Sequence, residues 1–202
     1  MSCGIIILAA GAATRMGKAK MLLPFHDTTI LQHIINEVIA VESKAICIVT
    51  GYYHQQIIDQ VDHSKATIVF NQQYANGMSS SIQIGLKHLL NNHANLESVM
   101  IVVADQPFLN RSILQQMQNL QQTTNKGLVA ATYDGVVGTP VLLTKKYIEQ
   151  LNQLTGDKGA RSILQAFPED LATVEFALGG LDIDNEQDYE AFCKILNATH
   201  VN

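Results

Sequence analysis

Seven short apolar runs punctuate this chain and set the class of fold it can adopt. Ile5–Ala9, Ala45–Thr50, Ala66–Phe70, Val99–Ala104, Leu128–Thr132, Thr139–Leu143 and Thr173–Phe176 are each of strand length. Several are apolar throughout instead of alternating, which is the pattern of strands covered on both faces. Helix-period stretches lie between them. In TILQHIINEVIAV, Ile30, Leu31, Ile34, Ile35, Val38 and Ile39 return every three or four residues and make one apolar face. In SSSIQIGLKHLL, Ile82, Leu86, Leu89 and Leu90 do the same behind serines suited to capping. NRSILQQMQNL, which opens after Asn110, and NEQDYEAFCKIL near the end read as further helices. Strand–helix alternation with short connections predicts a three-layer α/β fold around a mainly parallel sheet. No repeat, low-complexity tract or linker interrupts residues 1–202, so a single domain is expected.

That architecture says where chemistry belongs. Open α/β sheets bind ligands at the carboxyl ends of their strands, near a reversal of strand order. The loops leaving the runs are AAGAATRMGKAK, TGYYH, NQQYANGMSSS, ADQPFLN and GLDIDN. In the first, Leu8, Ala9, Ala10 and Gly11 carry an apolar strand into a turn of small residues, and Arg15, Lys18 and Lys20 follow. A P-loop needs four residues between its glycines and Ser or Thr after the lysine, the hydroxyl serving Mg²⁺. Here five residues separate Gly11 from Gly17, and Ala19 follows Lys18, so that motif is excluded. A dinucleotide-binding GxGxxG is excluded too, because no glycine falls two residues after Gly11. What remains is a turn whose backbone N–H groups can form an anion nest, beside an arginine able to fork onto phosphate and a lysine acting as a movable point charge. A merely solvated basic turn is the alternative.

Composition narrows the partners. With 13 basic and 18 acidic residues, the net charge of −5 gives no general attraction to nucleic acid. Cys3, Cys47 and Cys193 show no CxxC and no metal-type spacing, and Cys47 in an apolar run reads as a buried thiol. MSCGIIILAAG has no basic leader region, and its apolar run is too short to span a membrane, so a cytoplasmic protein is expected. His54 ends the TGYY loop, within reach of a ligand. The other histidines lack ligand spacing.

Asp105 stands just past an apolar strand, and Pro107 keeps that strand from continuing. A carboxylate there is suited to Mg²⁺, which favours one or two carboxylates with phosphate oxygens. Helix capping is its alternative role, for which Asn110 is better placed. Asp182 and Asp184 in LDIDN share one face of a short extended segment. Gly77 in ANGMSSSI lets backbone come close to a ring ahead of a helix start, with Ser79, Ser80 and Ser81 as small polar groups. Gly156, Asp157, Gly159 and Arg161 in TGDKGARSIL make a polar turn into a helix.

LAAGAATRMGKAKMLLP resembles the signature of the MobA-like NTP transferases, and NQQYANGMSSSI, ADQP, GTPVLL, GDKGAR and LDIDNEQDY extend the resemblance over nearly the whole chain. It implies a three-layer Rossmann-like nucleotidyltransferase fold and transfer of an NMP unit from an NTP with release of pyrophosphate. The motifs are most similar to the branch that transfers CMP from CTP to the phosphate of molybdenum-loaded molybdopterin. The resemblance assigns Arg15, Lys20 and Asp105 to catalysis. Leu8, Ala9, Ala10, Gly11, Arg15, Lys20, Gly77 and Ser81 would bind nucleotide. Asp105 with Asp184 would hold Mg²⁺, with Mn²⁺ as the other candidate metal. Gly138, Pro140, Asp157 and Arg161 would face the acceptor, and Lys18 would point to solvent. LAAG in place of LAGG favours CTP over GTP. A molybdoenzyme or its chaperone is the implied protein partner. Transfer from another NTP, a sugar phosphate or another phosphorylated alcohol as acceptor, and a non-catalytic nucleotide-binding accessory protein for molybdoenzymes are the alternatives.

Overall fold

The computed structural model describes residues 2–12, 17–181, 183 and 185–199. In chain order the strands are β1 (Cys3–Ala9), β2 (Pro24–Phe25), β3 (Thr28–Thr29), β4 (Ala45–Thr50), β5 (Thr67–Phe70), β6 (Ser98–Val103), β7 (Leu128–Tyr133), β8 (Val136–Thr144) and β9 (Leu171–Glu175). The helices are α1 (Ile30–Ile39), α2 (His54–Gln60), α3 (Met78–Asn92), α4 (Arg111–Thr124), α5 (Ile148–Asn152), α6 (Arg161–Ala166) and α7 (Glu186–Thr199). Seven strands form the central sheet in the order β5-β4-β1-β6-β8-β7-β9. β4 pairs in parallel with β5 and with β1, β1 with β6, and β7 with β9. β8 runs antiparallel to both its neighbours, β6 and β7. From β1 the chain works outward through β4 to β5, then crosses back to β6 on the other flank of β1. The strand order therefore reverses between β1 and β6, and the crevice that such a reversal creates opens at their carboxyl ends.

Every residue of β1 is buried, as an interior strand covered on both faces requires. Ile5, Ile7 and Ala9 pack into a core with α1 and α4, whereas Ile6 and Leu8 pack on the other face with α3. On α1, Ile30, Leu31, Ile34, Ile35 and Val38 are all sealed from solvent. Burying each such side chain contributes about 1.5–3 kcal/mol. Thr29 starts this helix, its side chain accepting from the Gln32 N–H at 3.1 Å. Gly85 lets α3 lie close on the sheet, since a Cβ there would stand 2.9 Å from both Ile6 Cγ2 and Val49 Cγ2.

Three features depart from the sequence expectation. The Thr139–Leu143 run belongs to the longer β8 and is the strand that runs against its neighbours. The β2–β3 hairpin and α2 were not expected; α2 fully buries only Ile57, so it carries little apolar periodicity. The N-cap of α3 is Gly77, at φ 96°, with no serine side chain capping it. Ser80 instead turns back from the first turn and donates to the carbonyls of Gly77 and Gln73 at 2.8 and 3.0 Å. No helix among the described residues is long and apolar enough to cross a membrane.

Candidate active site

A cleft of about 420 Å³ occupies the reversal point. Leu8, Ala9, Ala10, Gly11 and Ala12 from the end of β1 form one wall, and Val103, Ala104 and Asp105 from the end of β6 form another. Neighbouring loops are sewn together around it. The Ala104 N–H donates to Leu8 O at 3.0 Å, the Tyr52 N–H to Ala10 O at 3.3 Å, and the Tyr53 hydroxyl to Ala12 O at 3.0 Å. A Cβ on Gly51 would stand 2.6 Å from both Ala10 O and Tyr74 Cβ, so that glycine is dictated by protein contacts. Gly11 differs: among the described residues a Cβ there would meet no atom within 4 Å, and Gly11 is exposed on the cleft wall.

The start of α3 closes the cleft from the far side, its N-terminal end favouring negative charge. Gly77 lies so near the next loop that a Cβ would collide with the Gly156 carbonyl, and the Ser79 N–H donates to Gly156 O at 3.1 Å. This contact carries Asp157 to the cleft, although about eighty residues separate it from Gly77. Ser81 lines the cleft but is only 4% exposed. Asn71, at the end of β5, is buried and donates from Nδ2 to Ser80 Oγ at 2.9 Å and Ser81 Oγ at 3.0 Å. With its oxygen accepting from Asn71, the Ser81 hydroxyl is oriented to donate its own proton. Asn71 and Tyr74, which also lines the cleft, were not anticipated. An asparagine after a strand reads as an ordinary turn former, and a lone tyrosine carries no pattern.

Asp105 and Lys20 face each other across the cleft, Oδ2 to Nζ 3.5 Å, with side chains 38% and 17% exposed. Lys20 opens a single-turn 3-10 helix, Lys20–Leu22. Asp105 does not cap α4; Asn110 does, its side chain accepting from the Ile113 N–H at 3.2 Å. An ion pair whose carboxylate is this open to solvent contributes little stability. Two opposite charges held at the rim of an open cleft are instead available to a polyanion and its counter-cation. Asp105, an accessible carboxylate beside room for phosphate oxygens, fits the donor set that Mg²⁺ favours.

Arg15, Asp182 and Asp184 lie outside the described residues. Gly138 and Pro140 sit in β8 and are not among the residues lining the cleft; Pro140 is buried, and Gly138 is covered by the Tyr133 hydroxyl. Arg161 is exposed at the start of α6, beside Gly135, Val136 and Val137 in a separate groove. Lys18 is half exposed and pairs with Glu186 on α7 at 3.2 Å. His54 bonds Thr50 Oγ1 through Nδ1 at 2.7 Å and stacks on Phe70 at 4.3 Å, away from the cleft lining. Burial pushes the Cys47 thiol up to about 12 and raises Cys3 as well, so neither is poised as a nucleophile. Among the described residues, no three His, Cys, Asp or Glu side chains cluster to hold a metal unaided. The arrangement suits the alignment of phosphate groups better than nucleophilic or acid–base chemistry by the protein.

Comparison with known proteins bears on the family and the fold. The MobA-like NTP transferase domain matches residues 5–173. The molybdenum cofactor cytidylyltransferase of Escherichia coli (strain K12) is 30% identical over 185 residues, covering 91% of this chain and 92% of that protein. Among solved structures, a homolog from Mycobacterium sp. strain JC1 of Mycobacterium tuberculosis Rv0371c superposes with a TM-score of 0.84 at 21% identity, covering 98% of each chain. Rv0371c from M. tuberculosis H37Rv in complex with manganese gives 0.80 at 19% identity, covering 96% of this chain and 99% of that one. These structural neighbours share the fold.

Proposed function

Because the chain belongs to the MobA-like NTP transferase family, we propose that it transfers CMP from CTP to the phosphate of molybdenum-loaded molybdopterin and releases pyrophosphate. The observation that carries the reading is the pairing of Lys20 with Asp105 across a cleft at the β1/β6 reversal, whose wall includes the exposed Gly11. The cytidylyltransferase named above supplies the substrates of the proposal.

The acceptor phosphate is already an anion at neutral pH and needs no general base. Its oxygen attacks the α-phosphorus of CTP in line, a new P–O bond forms, and the bond to the bridging oxygen of pyrophosphate breaks. The protein has to align two polyanions and neutralise the charge that accumulates between them. The backbone of Leu8, Ala9, Ala10 and Gly11 lies along the nucleotide, while Arg15 and Lys20 take phosphate oxygens. Gly77 and the oriented Ser81 hydroxyl meet the base. Asp105 and Asp184 would hold Mg²⁺, or Mn²⁺ in its place, and the ion would supply Lewis-acid charge to the phosphates. Asp157, on the opposite wall, forms the acceptor side; Gly138, Pro140 and Arg161 stand outside the cleft lining and receive no role. Preference for CTP rests on Ala10, whose single methyl group shapes the base pocket, a discrimination of modest size.

Pyrophosphate release with Mg²⁺ tests this, using CTP, GTP, ATP and UTP separately, with and without molybdenum-loaded molybdopterin. Release with CTP and the pterin together is the expected result. Release with GTP would keep the mechanism and overturn the base assignment. Silence with all four, despite nucleotide binding, would direct the search to sugar phosphates and to an accessory role.

A further inference from the structure

Gln106 follows Asp105 directly and is 2% exposed. Its Nε2 donates to two carbonyls from distant parts of the chain, Thr139 O on β8 at 3.0 Å and Gly179 O at 2.8 Å. Both bonds run to acceptors, which fixes the orientation of the amide. Its Oε1 is then buried with no hydrogen-bond partner among the described residues. A site that only had to be filled would be better served by an apolar side chain of the same volume. The amide is kept in spite of its unpaired oxygen, so its value lies in the two bonds it donates.

Those bonds fasten the loop 177–181 to the end of β6. Gly179 N–H donates to Phe176 O at 2.7 Å, and a Cβ on Gly179 would stand 2.6 Å from the rings of both Phe176 and Tyr133. The loop is thus wedged between two aromatic rings, with Gln106 drawing its carbonyl inward. Past the loop, Ile183 is buried in the core, and Asp184 is the next residue.

We propose that Gln106 is a positioning residue that sets the spacing between the Asp105 end of β6 and the 177–181 loop, and through it the seating of the divalent metal at Asp105. This rests on the nucleotidyltransferase reading above. Substitutions one step removed from a metal ligand weaken metal affinity by about 10- to 100-fold.

The test is Mn²⁺ titration of the protein–CTP complex, followed by water-proton relaxation enhancement, which reads metal seating without turnover. CTP binding is followed separately by tyrosine fluorescence, in a chain with 6 Tyr and no Trp. Gln106→Met is expected to need about 10- to 100-fold more Mn²⁺ than wild type while remaining folded and binding CTP with unchanged affinity. Mn²⁺ seating equal to wild type would overturn the proposal and leave Gln106 as packing. Should Gln106→Met fail to fold, Gly179→Ala decides the matter, since it displaces the same loop from the opposite side. Weakened seating supports the spacing role, and wild-type seating overturns it. If wild type itself shows no enhancement with Mn²⁺ and CTP, the nucleotidyltransferase reading falls and takes this proposal with it.

Discussion

Lys20 and Asp105 illustrate how much one pair of side chains is asked to do. At 3.5 Å and partly exposed, their attraction adds little to folding, so removing either should leave the melting temperature nearly unchanged. Their effect should appear in turnover. Lys20→Ala and Asp105→Asn are each expected to lower kcat for pyrophosphate release by about 10²–10³, the loss typical of one partner to transition-state charge. Near wild-type kcat in either purified variant would remove that residue from the mechanism. Gly77 belongs to the other kind of site residue, one that shapes backbone. At φ 96° and pressed against the Gly156 carbonyl, it has no room for a methyl group. Gly77→Ala should destabilise the fold by about 1–3 kcal/mol and raise KM for CTP together, since the same backbone forms the cleft wall. Equilibrium unfolding in urea and a KM series check the two halves. The sequence pointed to Gly77 as a place of close approach to a ligand ring. The structure adds a close approach to the Gly156 loop, and no sequence pattern links residues so far apart.

At the scale of elements, the apolar runs located all the central strands because an interior strand needs side chains that suit both covered faces. Direction is another matter. Thr139–Leu143 carries the same apolar character whether parallel or antiparallel, and only its short Asp134–Gly135 turn from β7, with both residues at positive φ, marks the reversal. Gln106 escaped for a related reason: its partners, Thr139 and Gly179, come from separate parts of the chain. Asp170 joins elements in the same way. Its carboxylate accepts from Lys146 Nζ at 2.7 Å, the Tyr147 hydroxyl at 2.6 Å and the Gly127 N–H at 3.0 Å, tying the starts of β7 and β9 to the turn after β8. The Lys146 bond first, then those from Tyr147 and Gly127, hold this carboxyl well below the usual range. A depressed carboxyl pKa contributes stability that is complete above the unfolded value, near 3.9, and is lost as pH falls through the folded one. Asp170→Asn should therefore cost about 1–3 kcal/mol at pH 7, chiefly through the buried Tyr147 hydroxyl and the Gly127 N–H left without their charged acceptor. The gap from wild type should narrow as the pH is lowered below about 4, where the stabilisation from the wild-type carboxylate begins to fade. Urea unfolding at pH 7 and in the acid range reads both, and a gap independent of pH would mean that the carboxylate charge is not what matters.

The whole molecule converges on its cleft from segments spread over most of the chain: the end of β1, the Lys20 turn, the start of α3, the end of β6 and the Asp157 loop. The close approach of Gly77 to Gly156 helps bring the last of these into place, and the β1/β6 pairing brings the first and fourth together. A ligand that touches all of them makes interactions the unfolded chain cannot offer, so it should stabilise the fold as a unit instead of one loop. At about 100 times its Kd, a ligand bound to the folded state alone adds about 2.7 kcal/mol. For a chain of 202 residues that corresponds to a rise in Tm of about 5–10 °C. CTP with Mg²⁺ and no acceptor is expected to produce such a rise, with GTP giving less at equal concentration on the proposed preference for CTP. Asp105→Asn should lose most of the Mg²⁺-dependent part while keeping whatever CTP contributes alone. Equal shifts from CTP and GTP would leave the cleft as a nucleotide site without base preference. The absence of any shift, at concentrations where phosphate compounds of other kinds produce one, would move the nucleotide out of this cleft altogether.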